Sequence, residues 1–313
     1  MNTKAVVLTG KESLRMETLQ LAKPGCNDLL VEILHSGIST GTEKLFWSGD
    51  MPDFPGMGYP LVPGYEAVGE VSEAGSQTGF RAGERVFVPG SHGFRDVHCL
   101  FGASAKHVVT PAKRVTRLNA AAGPESVLLA LAATARHALA PPENRLPDLI
   151  VGHGVLGRLL ARLTIAYGGP PPTVWEIDPE RQQGHETYPV CAPDDDSRQD
   201  YTSIYDASGN GQLLDSLIAR AARGGEIVLG GFYPESLSFA YPPAFMRELR
   251  IRVAAEWTKD DMAETYDLIE KGNLSLDGLI THQMPANKAD AAYPIAFADP
   301  ACLKMILEWN SVQ

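Results

Sequence analysis

The sequence is poor in cysteine. Cys26, Cys99, Cys191 and Cys302 are scattered over 313 residues with no C-x-x-C pair, too sparse for a disulfide framework. Such usage fits a reducing compartment, and a cytoplasmic protein is expected. Long apolar runs are also missing. The most apolar stretch, residues 149–169, is broken by His153, Arg158 and Arg162, so no membrane anchor is expected. The opening residues, Met1 to Met16, hold one short apolar run without a basic lead or a small-residue cleavage site, and read as a first strand. Basic residues are in deficit, 27 against 38 acidic, for a net charge of −11. Such a chain repels phosphate backbones and anionic lipid, which argues against nucleic acid and acidic membrane surfaces as partners. No internal repeat, heptad run or low-complexity tail is visible. What is present is an ordinary well-cored composition, 44% hydrophobic, at a length that predicts two domains acting on small molecules or proteins.

The first 115 or so residues carry short β-branched runs separated by Gly, Pro and Asn: Lys4–Thr9, Leu29–His35, Glu66–Ala74, Arg85–Val88 and His107–Thr110. They predict a small irregular β-barrel. Between them, Lys44 to Gly64 reads as a long loop rich in Pro, Gly, Met and aromatic residues, apolar enough to argue against disorder. From Gly123 the pattern turns helical through Leu139. Strands and helices then alternate: Leu149–Val151, a helix from about Gly157, Val174–Ile177, Ser203–Asp206, a helix near Gln212–Ala222, and Glu226–Gly230. That alternation predicts a parallel sheet with helices on both faces. Lys259–Lys271 reads as a helix, and Leu303–Trp309 as a return to the first domain.

The most informative motif follows the strand Leu149-Ile150-Val151. Gly152-His153-Gly154-Val155-Leu156-Gly157 is a G-x-G-x-x-G between a strand and an apolar helix, the context in which this pattern cradles a dinucleotide. The first glycine permits a tight turn, the second lets backbone approach a pyrophosphate, and the third allows close helix packing. The helix N-terminus then offers unpaired N–H groups to the anion. The next strand ends at Glu176, where a carboxylate would bind ribose hydroxyls and repel a 2′-phosphate, so the expected cofactor is NAD. His153 is either a loop filler or a pyrophosphate contact. Ala207-Ser208-Gly209, after Asp206, is either a ribose contact or a plain turn.

Further segments carry a resemblance. SGIS from Ser36, PGYEAVG from Pro63, GERV from Gly83, GGEIV from Gly224 and LITH from Leu279 occur in the order found in the medium-chain dehydrogenase/reductase superfamily, which the chain resembles over essentially its whole length. More narrowly, SGISTGTEKLFWSGDMPDFPGMGYPLVPGYEAVGEV, LALAATARHAL and LPDLIVGHG resemble the family of bacteriochlorophyllide hydroxyethyl dehydrogenases. This resemblance implies an α/β fold: a GroES-like β-barrel catalytic domain over 1–120, completed by about 275–313, and a doubly wound Rossmann domain over 121–274. It implies NAD-dependent oxidation of the 1-hydroxyethyl group at ring position 3 of a tetrapyrrole to acetyl, and a homodimer formed through the Rossmann sheet edge. A zinc-free quinone or alkene reductase and a non-catalytic NAD-binding redox sensor remain as alternatives on the same fold.

The resemblance departs at the metal. Zinc-dependent members place Cys where this chain has Ser39, His where it has Tyr65, and Cys or Asp near Ala130; only the acidic neighbour Glu66 is kept. Ser, Tyr and Ala do not build a tetrahedral N/S site, so no catalytic zinc is expected. His92, His98 and Cys99 are either an unrelated metal site or packing residues. By family position Glu66 is the proton acceptor, or else a structural carboxylate, while Tyr65, Ser39 and Thr42 hold the hydroxyl oxygen. Phe46, Trp47, Met51, Phe54, Met57 and Tyr59 offer apolar surface for a planar macrocycle, or else cover the core. Lys44 and Arg95 are equal candidates for a substrate propionate.

Overall fold

The structure is a computed structural model and describes residues 1–53, 57–99, 101–139, 144–183 and 187–312. The helices run, in chain order, α1 (Thr42–Ser48), α2 (Leu129–Leu139), α3 (Val155–Ala166), α4 (Leu214–Arg220), α5 (Tyr241–Met246), α6 (Lys259–Glu270) and α7 (Ala289–Ala298). The chain divides into Met1–Ala130 with Leu279–Gln313, and Leu131–Gly278. The sequence boundaries lay at 120 and 275.

The first unit is built on two sheets. One is seven-stranded, its centre the long strand Asp28–Ile38, flanked by Ala67–Ala74, Met305–Glu308 and His107–Pro111. The other, four-stranded, pairs Asn2–Gly10 with Ser13–Gln20 and Leu61–Val62. Ser13–Gln20 escaped the sequence reading because its residues are mostly polar and little buried, with apolar alternation only at Leu14 and Met16. The C-terminal return is a strand, Met305–Glu308, antiparallel to Asp28–Ile38.

The expectation of a loop throughout Lys44–Gly64 is corrected: α1 occupies its start. The helix is short, opens on Gly41 without a side-chain cap, and stops at Gly49, whose φ of 75° closes it in the left-handed region. It turns Phe46 into the core, 5% exposed, and lays Trp47 against Tyr293 and Phe297 of α7, with ring centroids 6.1 Å apart in both cases.

The second unit is a six-stranded parallel sheet in the order Val190–Cys191, Thr173–Trp175, Leu149–Val151, Tyr201–Asp206, Ala221–Leu229, Arg250–Val253. Numbered along the chain this is 3-2-1-4-5-6, the Rossmann order, with its switch point between Leu149–Val151 and Tyr201–Asp206. Arg136 of α2 pairs with Asp261 and Glu264 of α6, fastening those helices within the unit. Among the described residues, no helix is long and apolar enough to cross a membrane.

Candidate active site

The three glycines of the turn after Leu149–Val151 differ in backbone conformation and surroundings. Gly152 has φ of 95°, a conformation that costs most residues energy. A Cβ on Gly154 would meet nothing within 4 Å, leaving its face open. A Cβ on Gly157 would lie 1.8 Å from Gly152 O, so this position joins helix to turn by direct backbone contact. Gly154 begins α3 with no side-chain cap, and Val155 and Leu156 form its first turn. The opposite wall is Ala207-Ser208-Gly209, with Ser208 Cα 3.3 Å from where a Gly152 Cβ would stand. Asp206 Oδ1 ties this second turn by accepting from Ser208 N (2.8 Å) and Ser208 Oγ (2.6 Å), and Tyr233 donates to its Oδ2 (2.8 Å). Burial raises the Asp206 pKa, against those hydrogen bonds.

Glu176 stands at the end of Thr173–Trp175 as expected, and its carboxylate organises backbone. It accepts from His153 N (3.0 Å), Ile177 N (2.8 Å) and Asp178 N (3.0 Å). With about four acceptor positions on a carboxylate, roughly one is left for a ribose hydroxyl. The His153 ring packs into the wall of the turn. Its Nδ1 donates to Arg181 O (2.6 Å), so in the neutral ring Nε2 accepts from the Tyr188 hydroxyl (2.9 Å). Both ring nitrogens are thereby engaged within the protein.

In the first unit, the sequence candidates gather behind the N-terminus of α1. Ser39 Oγ and Tyr65 Oη share a hydrogen bond of 2.8 Å, and Thr42 N donates to Ser39 Oγ at 3.3 Å. Desolvation, with the charges of Glu66 and Glu43 adding, holds the Tyr65 phenol well above its ordinary range, so it keeps its proton. Phe101 packs edge-on against the Tyr65 ring, centroids 5.2 Å apart, from a left-handed backbone (φ 68°) unusual for a bulky residue.

Glu66 is fully enclosed, and here the structure adds a residue that sequence reasoning did not find. Lys304, 1% exposed, donates to Glu66 Oε2 at 2.6 Å and to Ile38 O at 3.1 Å. Glu66 Oε1 is buried with no hydrogen-bond partner among the described residues. Gly37 leaves the carboxylate its room, since a Cβ there would fall 2.3 Å from Glu66 Oε2. A second enclosed acid, Glu43 of α1, accepts from the Tyr293 hydroxyl at 2.7 Å. Burial pushes Glu43 up to about 8, with the Glu66 charge adding and the Tyr293 hydrogen bond opposing.

These residues do not fit the zinc of the wider superfamily. Ser39 and Tyr65 offer neutral hydroxyls already bonded to each other, and the Glu66 oxygen nearest a cation is taken by an ammonium. No group of three or more His, Cys, Asp or Glu among the described residues is placed to hold a metal. Burial pushes the Cys99 thiol up to about 11, away from the thiolate a metal requires.

The expected macrocycle surface is only partly available. Phe46 belongs to the core, because the helix turns it inward, and Trp47 packs on α7. Met51 and Met57 are partly buried against the same core, and Tyr59, 36% exposed, donates to Phe46 O. Phe54 lies outside the described residues. Lys44 Nζ donates to Phe297 O (3.2 Å) and Arg95 Nη1 to Gln20 Oε1 (3.4 Å), so neither is singled out for a propionate.

Comparison with known proteins matches residues 25–120 to the alcohol dehydrogenase GroES-like domain. The L-idonate 5-dehydrogenase structure from Escherichia coli is similar in fold, with a TM-score of 0.86 at 17% identity over 99% of each chain. The 2-desacetyl-2-hydroxyethyl bacteriochlorophyllide A dehydrogenase of Cereibacter sphaeroides is 60% identical over 99% of this chain and 99% of its own. The protein of that name from Rhodobacter capsulatus is 58% identical over 100% of both. With identity at this level from end to end, the chain belongs to the family of hydroxyethyl bacteriochlorophyllide dehydrogenases, within the medium-chain dehydrogenase/reductase superfamily.

Proposed function

We propose that the protein oxidises the 1-hydroxyethyl side chain of a bacteriochlorophyllide to acetyl, with NAD as hydride acceptor, in the cytoplasm. The observation that carries this is a complete dinucleotide turn in a chain whose other unit gathers Ser39, Thr42, Tyr65 and Glu66. NAD is favoured over NADP because the Glu176 carboxylate stands where a 2′-phosphate would bring further negative charge. Gly152, Gly154, Gly157 and the first turn of α3 would hold the pyrophosphate, and Ala207, Ser208 and Gly209 the ribose nearer the nicotinamide. When bound, the nicotinamide supplies the hydride acceptor.

The chain's own part is to hold the carbinol oxygen and take its proton. Tyr65 and Ser39 present hydroxyls to that oxygen, and Thr42 supports Ser39. Because Glu66 is enclosed, the proton reaches it by way of such hydroxyls or a water, not by direct contact with substrate. A carbinol carbon attached to a conjugated macrocycle spreads the charge that develops as hydride leaves, which lessens the need for a Lewis acid. Met51, Met57 and Tyr59 provide apolar contact for the macrocycle.

The test is an absorbance assay on hydroxyethyl bacteriochlorophyllide with each nicotinamide. NAD is expected to be the better acceptor, and Glu66→Gln to lower turnover roughly 100-fold or more, the usual scale for losing a general base, at unchanged NAD affinity. Turnover at the parent rate in Glu66→Gln removes it as acceptor; preference for NADP removes the role given to Glu176.

We further propose a homodimer through the sheet edge Arg250–Val253. That strand has no partner on its outer side among the described residues, and it exposes Ile251 (39%) and Val253 (72%) beside Phe245 (61%) and Met246 (70%) of α5. An unpaired apolar edge invites a second copy across a two-fold axis. Sedimentation is expected to show a dimer that Val253→Asp converts to monomer; a parent chain that sediments as monomer at assay concentration ends this reading.

A further inference from the structure

Lys304 lies just before the strand Met305–Glu308, and lysine rarely goes this deep without a paired anion. Its ammonium holds Glu66 from one side. Oε2 is fixed by the cation, while Oε1, equally enclosed, is without a partner among the described residues. A carboxylate can accept about four hydrogen bonds, so a buried oxygen with none is a vacancy with a direction. The same ammonium is anchored to Ile38 O, one residue from Ser39, so the cation, the carboxylate and the hydroxyl cluster share one strand end.

We propose that Lys304 is a positioning residue for proton transfer, which fixes and charge-compensates Glu66 so that Oε1 is presented as the acceptor of the carbinol proton. The inference rests on the reading of Glu66 given above. An isolated carboxylate in such surroundings takes up a proton and ceases to accept one. The paired ammonium offsets the cost of enclosing the charge. In the forward step the substrate O–H bond breaks, its proton passes to the relaying hydroxyl or water, and that group's own proton forms the O–H bond on Glu66 Oε1. The C–H electron pair leaves as hydride for the nicotinamide, and the carbinol becomes a ketone. The proton then passes to solvent, driven by the ammonium that protonated Glu66 has left unpaired.

Lys304→Gln removes the charge and keeps a donor. Its turnover is expected to fall roughly 100-fold, as for loss of the base itself, with NAD affinity within about twofold of the parent. Its infrared spectrum should gain the carbonyl band of a neutral carboxylic acid, and the double variant E66Q/K304Q should lack that band. Lys304→Arg, which keeps the charge, should retain turnover within about tenfold. A merely structural lysine would lower the melting temperature without moving the band or the turnover of folded enzyme. Parent-like turnover in Lys304→Gln beside an inactive Glu66→Gln overturns the role of Lys304 and leaves Glu66 in place. Parent-like turnover in Glu66→Gln overturns the acceptor reading itself. Should Lys304→Gln fail to fold, a folded Lys304→Arg as inactive as Glu66→Gln also overturns the proposal.

Discussion

Gly157→Ala is expected to abolish dinucleotide binding and to destabilise the second unit, whereas Gly154→Ala leaves the fold intact and weakens binding alone. A methyl at position 157 would stand 1.8 Å from Gly152 O and 3.0 Å from Gly152 C. Both are backbone atoms of the turn itself, so no side chain can swing aside to make room. Overpacking a core costs about 1–3 kcal/mol even where rotamers can adjust, and here α3 must lift off the turn, so the loss lies at or above that range. Lifting α3 also withdraws the N–H groups that would meet the pyrophosphate. At Gly154, by contrast, a methyl meets nothing within 4 Å and the φ of −73° suits alanine. The methyl would occupy only the open face reserved for the ligand. Thermal unfolding and NAD titration of both variants check this; equal melting temperatures, or NAD affinity at the parent level in Gly154→Ala, would contradict it.

Glu43→Gln should make the protein more stable in mild alkali, and the gain should vanish in acid. Glu43 titrates at about 8 in the folded chain against 4.5 as its ordinary value. Below 4.5 both folded and unfolded chains hold the proton, and the group has no effect on their balance. Between the two values the unfolded chain releases a proton that the folded chain retains, so stability declines as pH rises; beyond about 8 the decline levels off. At 1.36 kcal/mol per pH unit the full loss is about 5 kcal/mol. Glutamine keeps an oxygen for the Tyr293 hydroxyl and does not ionise. Urea unfolding of parent and variant at pH 5, 7 and 9 measures the difference; parallel curves across that range would show that Glu43 is not the source.

The reach of the sequence follows from the range of each signal. The dinucleotide turn was legible because its parts are neighbours: a strand, three glycines at fixed spacing and an apolar helix fall within a few residues. Glu176 was placed by a longer rule, the strand after the motif's helix, which fixes its position and not its ligand. The helical start of the segment after Ser39 was hidden by its shortness and by its lack of a capping side chain, so its Gly and aromatic content read as loop. With the segment read as a loop, nothing in it told which aromatic side chain a helix would turn inward, and Phe46, 5% exposed, is the one it turns. Lys304 was illegible for a different reason. Its partner lies 238 residues earlier in the chain, and no local pattern distinguishes a buried lysine from a solvated one. Glu43 likewise reads as an ordinary polar residue in the first turn of a helix until α7 closes over it with Tyr293.

The vacant side of Gly37 is where the Glu66 carboxylate lies, and even the smallest side chain would take that room. A mutational library at this position should therefore be far less permissive than its place in an ordinary β-strand suggests. Growth at position 37 and loss of charge at position 66 become two routes to one defect, and rescue screens should look for compensating changes in pairs.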